Sequence, residues 1–154
     1  MNYKISHYTK IVNCEINLPS SKSISNRLLI IQALAKDKFT IHNISKSDDT
    51  QVLQHALNSK QSIIDIENAG TSLRFLLAYL STKENQNFVL SGSNRIKERP
   101  IKELVNTLKI LGANITSLNN DNRLPLKIKG KQIKGGKIEI SGNISSQFIT
   151  SILL

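Results

Sequence analysis

The chain has no tryptophan and only one cysteine, one methionine and three prolines among its 154 residues, and 5% of its residues are aromatic. A single thiol, Cys14, excludes an internal disulfide and a thiol-held metal cluster. In an apolar strand such a cysteine is expected to serve as a small core residue. Few aromatics weigh against a surface that stacks nucleic-acid bases. No apolar run reaches the length needed to cross a bilayer. Residues Met1–His7 lack the apolar core of a signal peptide, so a cytoplasmic protein without a membrane partner is expected. There is no Walker-type loop, and no Cys/His dyad is legible. His7, His42 and His55 read as surface or helix residues.

Acidic residues are also scarce, with 11 Asp+Glu against 21 Lys+Arg and a formal charge of +10. That balance favours acidic partners: phosphorylated metabolites, nucleic acid or a membrane surface. The lysines are spread along the chain rather than clustered, which argues against a nucleic-acid module. Hydrophobic residues make up 39% and recur in runs, so a domain with a real core is expected.

Residues 3–18 alternate weakly and read as a strand or strand pair ending at Pro19. A helix is predicted from about Lys22 to Ala35, then a β-like stretch at Lys38–Ile44. Ser47-Asp48-Asp49-Thr50 caps a second helix running to about Asn58. Short strands are predicted at Ser62–Ile66 and Asn87–Leu90, flanking an apolar helix that opens at Asn68-Ala69-Gly70-Thr71. After a turn at Ser91–Asn94, Pro100 is a favoured first-turn residue for a helix to Leu111, stopped by Gly112. Asn114–Leu118, Pro125–Lys129 and Gly136–Ile140 read as strands, with a turn at Asn119–Asn122 and lysines 127, 129, 131, 134 and 137 on a solvated face. The segment Ser141–Gln147 then opens a third apolar helix, inside which the chain stops without a cap. The expectation is therefore a piece of a longer protein. The elements repeat loosely about every 70 residues, which would gather like helix starts on one rim.

The most distinctive stretch is Pro19–Arg27. Three serines, Lys22 and Arg27 fall in the seven residues from Ser21. A plain capped helix needs one hydroxyl. Unpaired N–H groups and the positive end of the peptide dipoles already favour an anion there, and the two cations add to it. Further helix starts carry Asn68-Gly70-Thr71, Arg99-Pro100 and Ser145-Ser146-Gln147. Gly70 lets a ligand approach the backbone, and Arg27 and Arg99 can grip phosphate or carboxylate by two bonds. Taken together the set suits a small polyanion bearing both groups.

Five blocks carry a resemblance: Pro19-x-Ser21-Lys22-Ser23-x-Ser25-Asn26-Arg27, Ser47–Thr50, Asn68-Ala69-Gly70-Thr71-x-x-Arg74, Arg95-x-Lys97-Glu98-Arg99-Pro100-Ile101 and Ser145–Phe148. In this order and spacing the chain resembles the amino-terminal part of the 5-enolpyruvylshikimate-3-phosphate synthase family. That resemblance implies an α+β fold of repeated βαβαββ-type units, with parallel helices packed under mixed sheets, here as an incomplete domain. Residues 1–20 would be a strand segment of the other, absent domain. Residues 21–154 would be most of the amino-terminal domain, truncated in its last helix. The implied reaction joins the enolpyruvyl group of phosphoenolpyruvate to the 5-hydroxyl of shikimate 3-phosphate, releasing phosphate through a tetrahedral intermediate. It uses no metal or organic cofactor, and the full-length form is expected to be a monomer.

By the same resemblance Lys22 contacts both substrates and is a candidate for proton transfer. Ser23, Arg27, Ser145 and Ser146 hold shikimate 3-phosphate, Gly70 and Arg99 hold phosphoenolpyruvate, and Gln147 lies between them. Asn68 and Thr71 shape the turn around Gly70. Arg74 lies beyond the first turn, where the dipole effect fades, and is expected to be structural. Two positions depart from the family pattern. Ser20 stands where a glycine is expected, and Phe75 where many members have proline. The family's catalytic aspartate and further cations lie in the missing portion, so the piece is expected to bind weakly and not to turn over. The sister transferase acting on UDP-N-acetylglucosamine is the nearest alternative, but its reactive cysteine has no counterpart, since Cys14 precedes the first block. A basic nucleic-acid-binding module is the alternative of another class.

Overall fold

The computed structural model describes residues 3–4, 6, 8, 11, 13–37, 39–119, 122–141, 143 and 145–154. Their elements are α1 (Lys22–Leu34), α2 (Asp48–Asn58), β1 (Ile63–Asp65), α3 (Gly70–Ser81), β2 (Asn87–Ser91), α4 (Asn94–Lys97), α5 (Lys102–Ile110), β3 (Asn114–Ser117), β4 (Leu126–Lys129) and α6 (Ser146–Leu153).

From β1 to β4 the order is β-α-β-α-β-β, with the single-turn α4 preceding α5. The four strands form one mixed sheet in the order β1-β2-β4-β3. β1 and β2 are parallel, with Ile63 opposite Val89. Parallel neighbours need a crossover, and α3 supplies it. β4 runs antiparallel to both its neighbours, pairing Leu90 with Leu126 and Ile115 with Ile128. Strands β3 and β4 alternate strictly. Ile115, Ser117, Leu126 and Ile128 face the core, while Asn114, Thr116, Lys127 and Lys129 are exposed. Lys131, Lys134 and Lys137 are exposed as well. The two-residue period of the side chains makes one face wet and one dry.

Helix α3 is the centre of the molecule. Nine of its twelve residues are buried, as expected of a helix apolar nearly all round. It packs against β4 and against α1, α2 and α6. Helix α5 covers β3 with the stripe Leu104, Val105 and Leu108. Helix α1 buries Leu29 and Ile30 together with two polar residues, Ser25 and Asn26. Both are held from outside the helix. Ser25 Oγ accepts from the Ser45 amide at 2.9 Å, and Asn26 Oδ1 accepts from Thr50 Oγ1 at 2.7 Å. These bonds fix α2 beside α1, because a buried polar group without a partner is costly.

Several expected elements differ. The described residues of the 3–18 segment form no strand, and Ile11, Ile16 and Leu18 are 74%, 73% and 84% exposed. Cys14, expected in a core, is exposed for the same reason. Val12 and His7 lie outside the described residues. Residues 39–44 are irregular. There Ser20 Oγ donates to Asn43 Oδ1 at 2.7 Å and Gln32 donates to the Phe39 carbonyl, so side chains take the place of a ladder. Lys38 lies outside the described residues. Gly136–Ile140 forms no strand either, since Gly135 and Gly136 adopt φ of 71° and 151°. Among the described residues the first copy of the expected repeat therefore lacks the strand between its two helices and keeps the one after α2, as β1. Ser91–Asn94, expected as a turn, instead caps α4, with Ser93 Oγ accepting from the Ile96 amide at 3.3 Å. Pro100 precedes α5 by two residues. Ile101, 1% exposed and at φ −132°, inserts its side chain in the core and delays the first turn. Gly112, at φ 102°, follows that helix as expected. Asn120 and Asp121 of the expected turn, and Gly142 and Ile144 before α6, lie outside the described residues. No helix among the described residues is long and apolar enough to cross a membrane.

Candidate functional site

The start of α1 is built by Ser21, whose Oγ accepts from the Ile24 amide at 3.4 Å. Lys22 and Ser23 follow on its exposed first turn. Arg27 folds back along its own helix, its Nη1 donating to the Ser23 carbonyl at 2.9 Å. Its Nη2 reaches Thr150 Oγ1 on α6 at 3.5 Å, and its guanidinium stands 5.8 Å from the centre of the Phe75 ring. Arg27 thus spans α1, α3 and α6.

Lys22 Nζ lies 2.9 Å from Asp49 Oδ2, in the first turn of α2. In the sequence Asp49 belongs to a capping block that is also one of the five resemblance blocks, with no role of its own. Acids at a helix start are so common that this second role carries no separate signal.

The start of α3 is delivered by a tight turn. Glu67 sits at φ 50°, and its amide donates to Asp65 Oδ1 at 2.7 Å. Asn68 Oδ1 accepts from Ser93 Oγ, which ties this turn to the start of α4. Thr71 is buried one residue beyond Gly70. One turn further on, Arg74 Nη1 donates to the Gly70 carbonyl at 2.7 Å and to Gln147 Oε1 at 3.1 Å. Its guanidinium lies 5.4 Å from the centre of the Phe148 ring. Burial lowers the Arg74 pKa below the ordinary arginine value, Arg99 lowers it further, and Asp49 opposes both. Arg99 itself is exposed, between α4 and α5. Helix α6 is capped by Ser145, whose Oγ accepts from the Gln147 amide at 3.2 Å, and the Ser146 carbonyl accepts from Thr150 Oγ1 at 3.1 Å.

Lys22, Gly70, Arg74 and Gln147 therefore belong to one neighbourhood, linked through Asp49 and within the electrostatic reach of Arg99. Ser23 and Arg27 join it through Thr150. The cleft beside Lys22 has a volume of about 310 Å³ and is lined by both signs of charge, Lys22 together with Asp48, Asp49 and Glu67, of which Asp49 touches the ammonium. A more apolar hollow of about 220 Å³ lies between Ile30, Phe75, Tyr79, Leu108 and Ile152, and brings no group of charges together. Sequence reasoning missed Asp49 and Thr150. It set Arg74 aside as structural, and the bonds of Arg74 join the starts of two helices.

A mixed sheet packed against helices defines an α+β domain, in which Arg74 joins the polar starts of α3 and α6. Its fold is that of EPSP synthase from Acinetobacter baumannii, with a TM-score of 0.78 at 22% identity over 90% of this chain and 36% of that one. The family model for EPSP synthase (3-phosphoshikimate 1-carboxyvinyltransferase) matches residues 7–59 and 52–154, and the chain belongs to that family. A 3-phosphoshikimate 1-carboxyvinyltransferase of Bacteroides fragilis is 45% identical over all 154 residues, which span 37% of that relative. The enzyme of that name from Aliivibrio salmonicida is 39% identical over 93% of this chain and 40% of its own length. The chain thus spans about two fifths of the length of these relatives.

Proposed function

We propose that this chain supplies the shikimate 3-phosphate half-site of an enolpyruvyl transferase. In the whole protein the enolpyruvyl group of phosphoenolpyruvate passes to the 5-hydroxyl of shikimate 3-phosphate and phosphate leaves. Lys22, Ser23, Arg27, Ser145, Ser146 and Gln147 hold shikimate 3-phosphate. Lys22, Gly70, Arg99 and Gln147 meet phosphoenolpyruvate, with Asn68 and Thr71 shaping the turn beside it. Lys22 serves both ligands and takes part in proton transfer.

The observation that carries this reading is Arg74, whose one nitrogen bonds the residue at the start of α3 and the glutamine at the start of α6. It holds together the two segments assigned to different ligands. The family's name for its reaction supplies the ligands, and the helix starts supply chemistry that suits them: backbone N–H groups, hydroxyls and cations. Catalysis by such a site is mainly positioning and charge stabilisation, completed when the remaining domain closes over it. Residues 1–20 belong to that second domain in this reading, which accounts for the exposure of Ile16 and Leu18. The 154-residue chain by itself binds shikimate 3-phosphate weakly and does not turn over. In the whole protein it acts as a cytoplasmic monomer without a metal or organic cofactor.

Calorimetric titration of the chain with shikimate 3-phosphate tests the reading. Binding is expected to be tighter than that of inorganic phosphate, and to disappear in Lys22→Ala and Arg27→Ala. Equal affinity for the two ligands, or binding indifferent to both substitutions, overturns it.

A further inference from the structure

The Lys22 ammonium, assigned to incoming anions, already has an anion beside it. Asp49 Oδ2 is 2.9 Å away, and the Asp49 side chain is 16% exposed against 46% for Lys22. The other carboxylate oxygen, Oδ1, is buried and has no hydrogen-bond partner. Asp49 is also fixed through its backbone, where its carbonyl accepts from Ser72 Oγ at 2.6 Å on α3. The carboxylate is therefore held on a stiff element, half engaged by Lys22 and half unsatisfied.

Stabilising the start of α2 does not require this arrangement. Asp48, its neighbour in the same first turn, is exposed and offers the same charge to the helix dipole. Asp49 differs in facing the cations. It touches Lys22 and its charge is felt by Arg74.

We infer that Asp49 is a specificity-determining residue, a counter-anion within the site that competes with ligands for Lys22. The inference rests on the functional reading above in treating the α1 start as an anion site. A lone small anion must displace Asp49 from Lys22, or share the ammonium and accept repulsion from a carboxylate a few ångströms away. A larger ligand offsets that cost with further bonds at Ser23, Arg27 and the α6 start. Free phosphate is thereby kept from occupying a site intended for an organic phosphate.

The test is a calorimetric titration of the 154-residue chain with inorganic phosphate, at neutral pH and low salt. Asp49→Asn keeps the shape and removes the charge, and phosphate affinity should rise about tenfold, or about 1.4 kcal/mol. Asp48→Asn makes the same change in net charge one residue away and should alter affinity less than about twofold. Adding Lys22→Ala to Asp49→Asn should abolish the gain. An unchanged or weaker affinity in Asp49→Asn, an equal gain in Asp48→Asn, or binding too weak to detect in both chains overturns the inference. A second measurement needs no substitution: phosphate added to the unaltered chain should shift the carboxyl carbon resonance of Asp49 and spare that of Glu84. An unmoved Asp49 signal overturns the inference even if the variant fails to fold. Shikimate 3-phosphate binding no tighter than phosphate would remove the functional reading and leave the competition at Lys22 intact, so the two failures are distinguishable.

Discussion

Arg74 and Gln147 stand 73 residues apart in the chain, yet Arg74 Nη1 donates to Gln147 Oε1 across 3.1 Å and to the Gly70 carbonyl across 2.7 Å. The starts of α3 and α6 are consequently tied together by one side chain. Arg74 is only 9% exposed, and while Nη1 makes both bonds its planar guanidinium also lies over the Phe148 ring, so one flat group meets all three neighbours. Arg74→Lys keeps the charge but loses the planar guanidinium over Phe148 and shortens the reach to Gln147. It should cost about 2 kcal/mol of stability, the scale of a hydrogen bond to a charged group. Urea unfolding measures this, and a variant as stable as the parent contradicts the account.

Gly70 sits against that same guanidinium. A Cβ added there would lie 3.3 Å from Arg74 Nη1 and 3.8 Å from Ile96 Cδ1, so the arginine must yield by a few tenths of an ångström. Gly70→Ala should cost less than about 1 kcal/mol in stability. It should also shift the side-chain amide resonances of Gln147 and weaken phosphoenolpyruvate binding in the whole protein severalfold. Unmoved Gln147 resonances would show that Arg74 does not transmit the change.

Two other glycines separate backbone crowding from backbone conformation. A Cβ at Gly130 would fall 1.8 Å from the Lys83 carbonyl oxygen, an atom that cannot swing aside. Gly130→Ala should cost about 3 kcal/mol, the upper end of overpacking. Gly112 has nothing within 4 Å of the same atom but adopts φ 102°. Its alanine variant should cost about 1 kcal/mol through strain alone. Thermal melts of the two variants should rank Gly130→Ala well below Gly112→Ala, and the reverse order would refute the distinction.

The buried bond between Thr50 and Asn26 gives a sharper test of polar burial. Asn26 is fully buried, its Oδ1 accepts from Thr50 Oγ1, and its Nδ2 has no partner. Thr50→Val leaves a buried carbonyl oxygen without a donor and should destabilise by about 1 to 3 kcal/mol. Adding Asn26→Leu removes the orphan and should recover most of that loss, as read in a double-mutant cycle of denaturant midpoints. Strict additivity of the two changes would mean that the bond contributes nothing.

The longer helices were legible in the residues because each carries a local signal, whereas the single-turn α4 was not expected. Ser21 opens α1, Leu104, Val105 and Leu108 form the stripe of α5, and Gly112 follows its end. Strands β3 and β4 declare themselves by alternation over Asn114–Ser117 and Leu126–Lys129. The same alternation misled at residues 3–18 and 136–140. A strand also depends on a partner, and a period of two does not say whether one is present. The blocks around Lys22, Gly70, Arg99 and Gln147 marked the family through their order and spacing, because single capping residues are common to many helices.

What the linear order determined, then, is which helix starts are polar and cationic, since composition and spacing are local properties of the chain. Which of those groups touch was decided only by the fold. Asp49 reaches Lys22, Thr150 meets Arg27, and Arg74 joins Gly70 to Gln147, because α3 is buried in the centre and draws α1, α2 and α6 around it. Contacts between residues far apart in sequence follow from how apolar faces are buried together, and no spacing within a single segment encodes them.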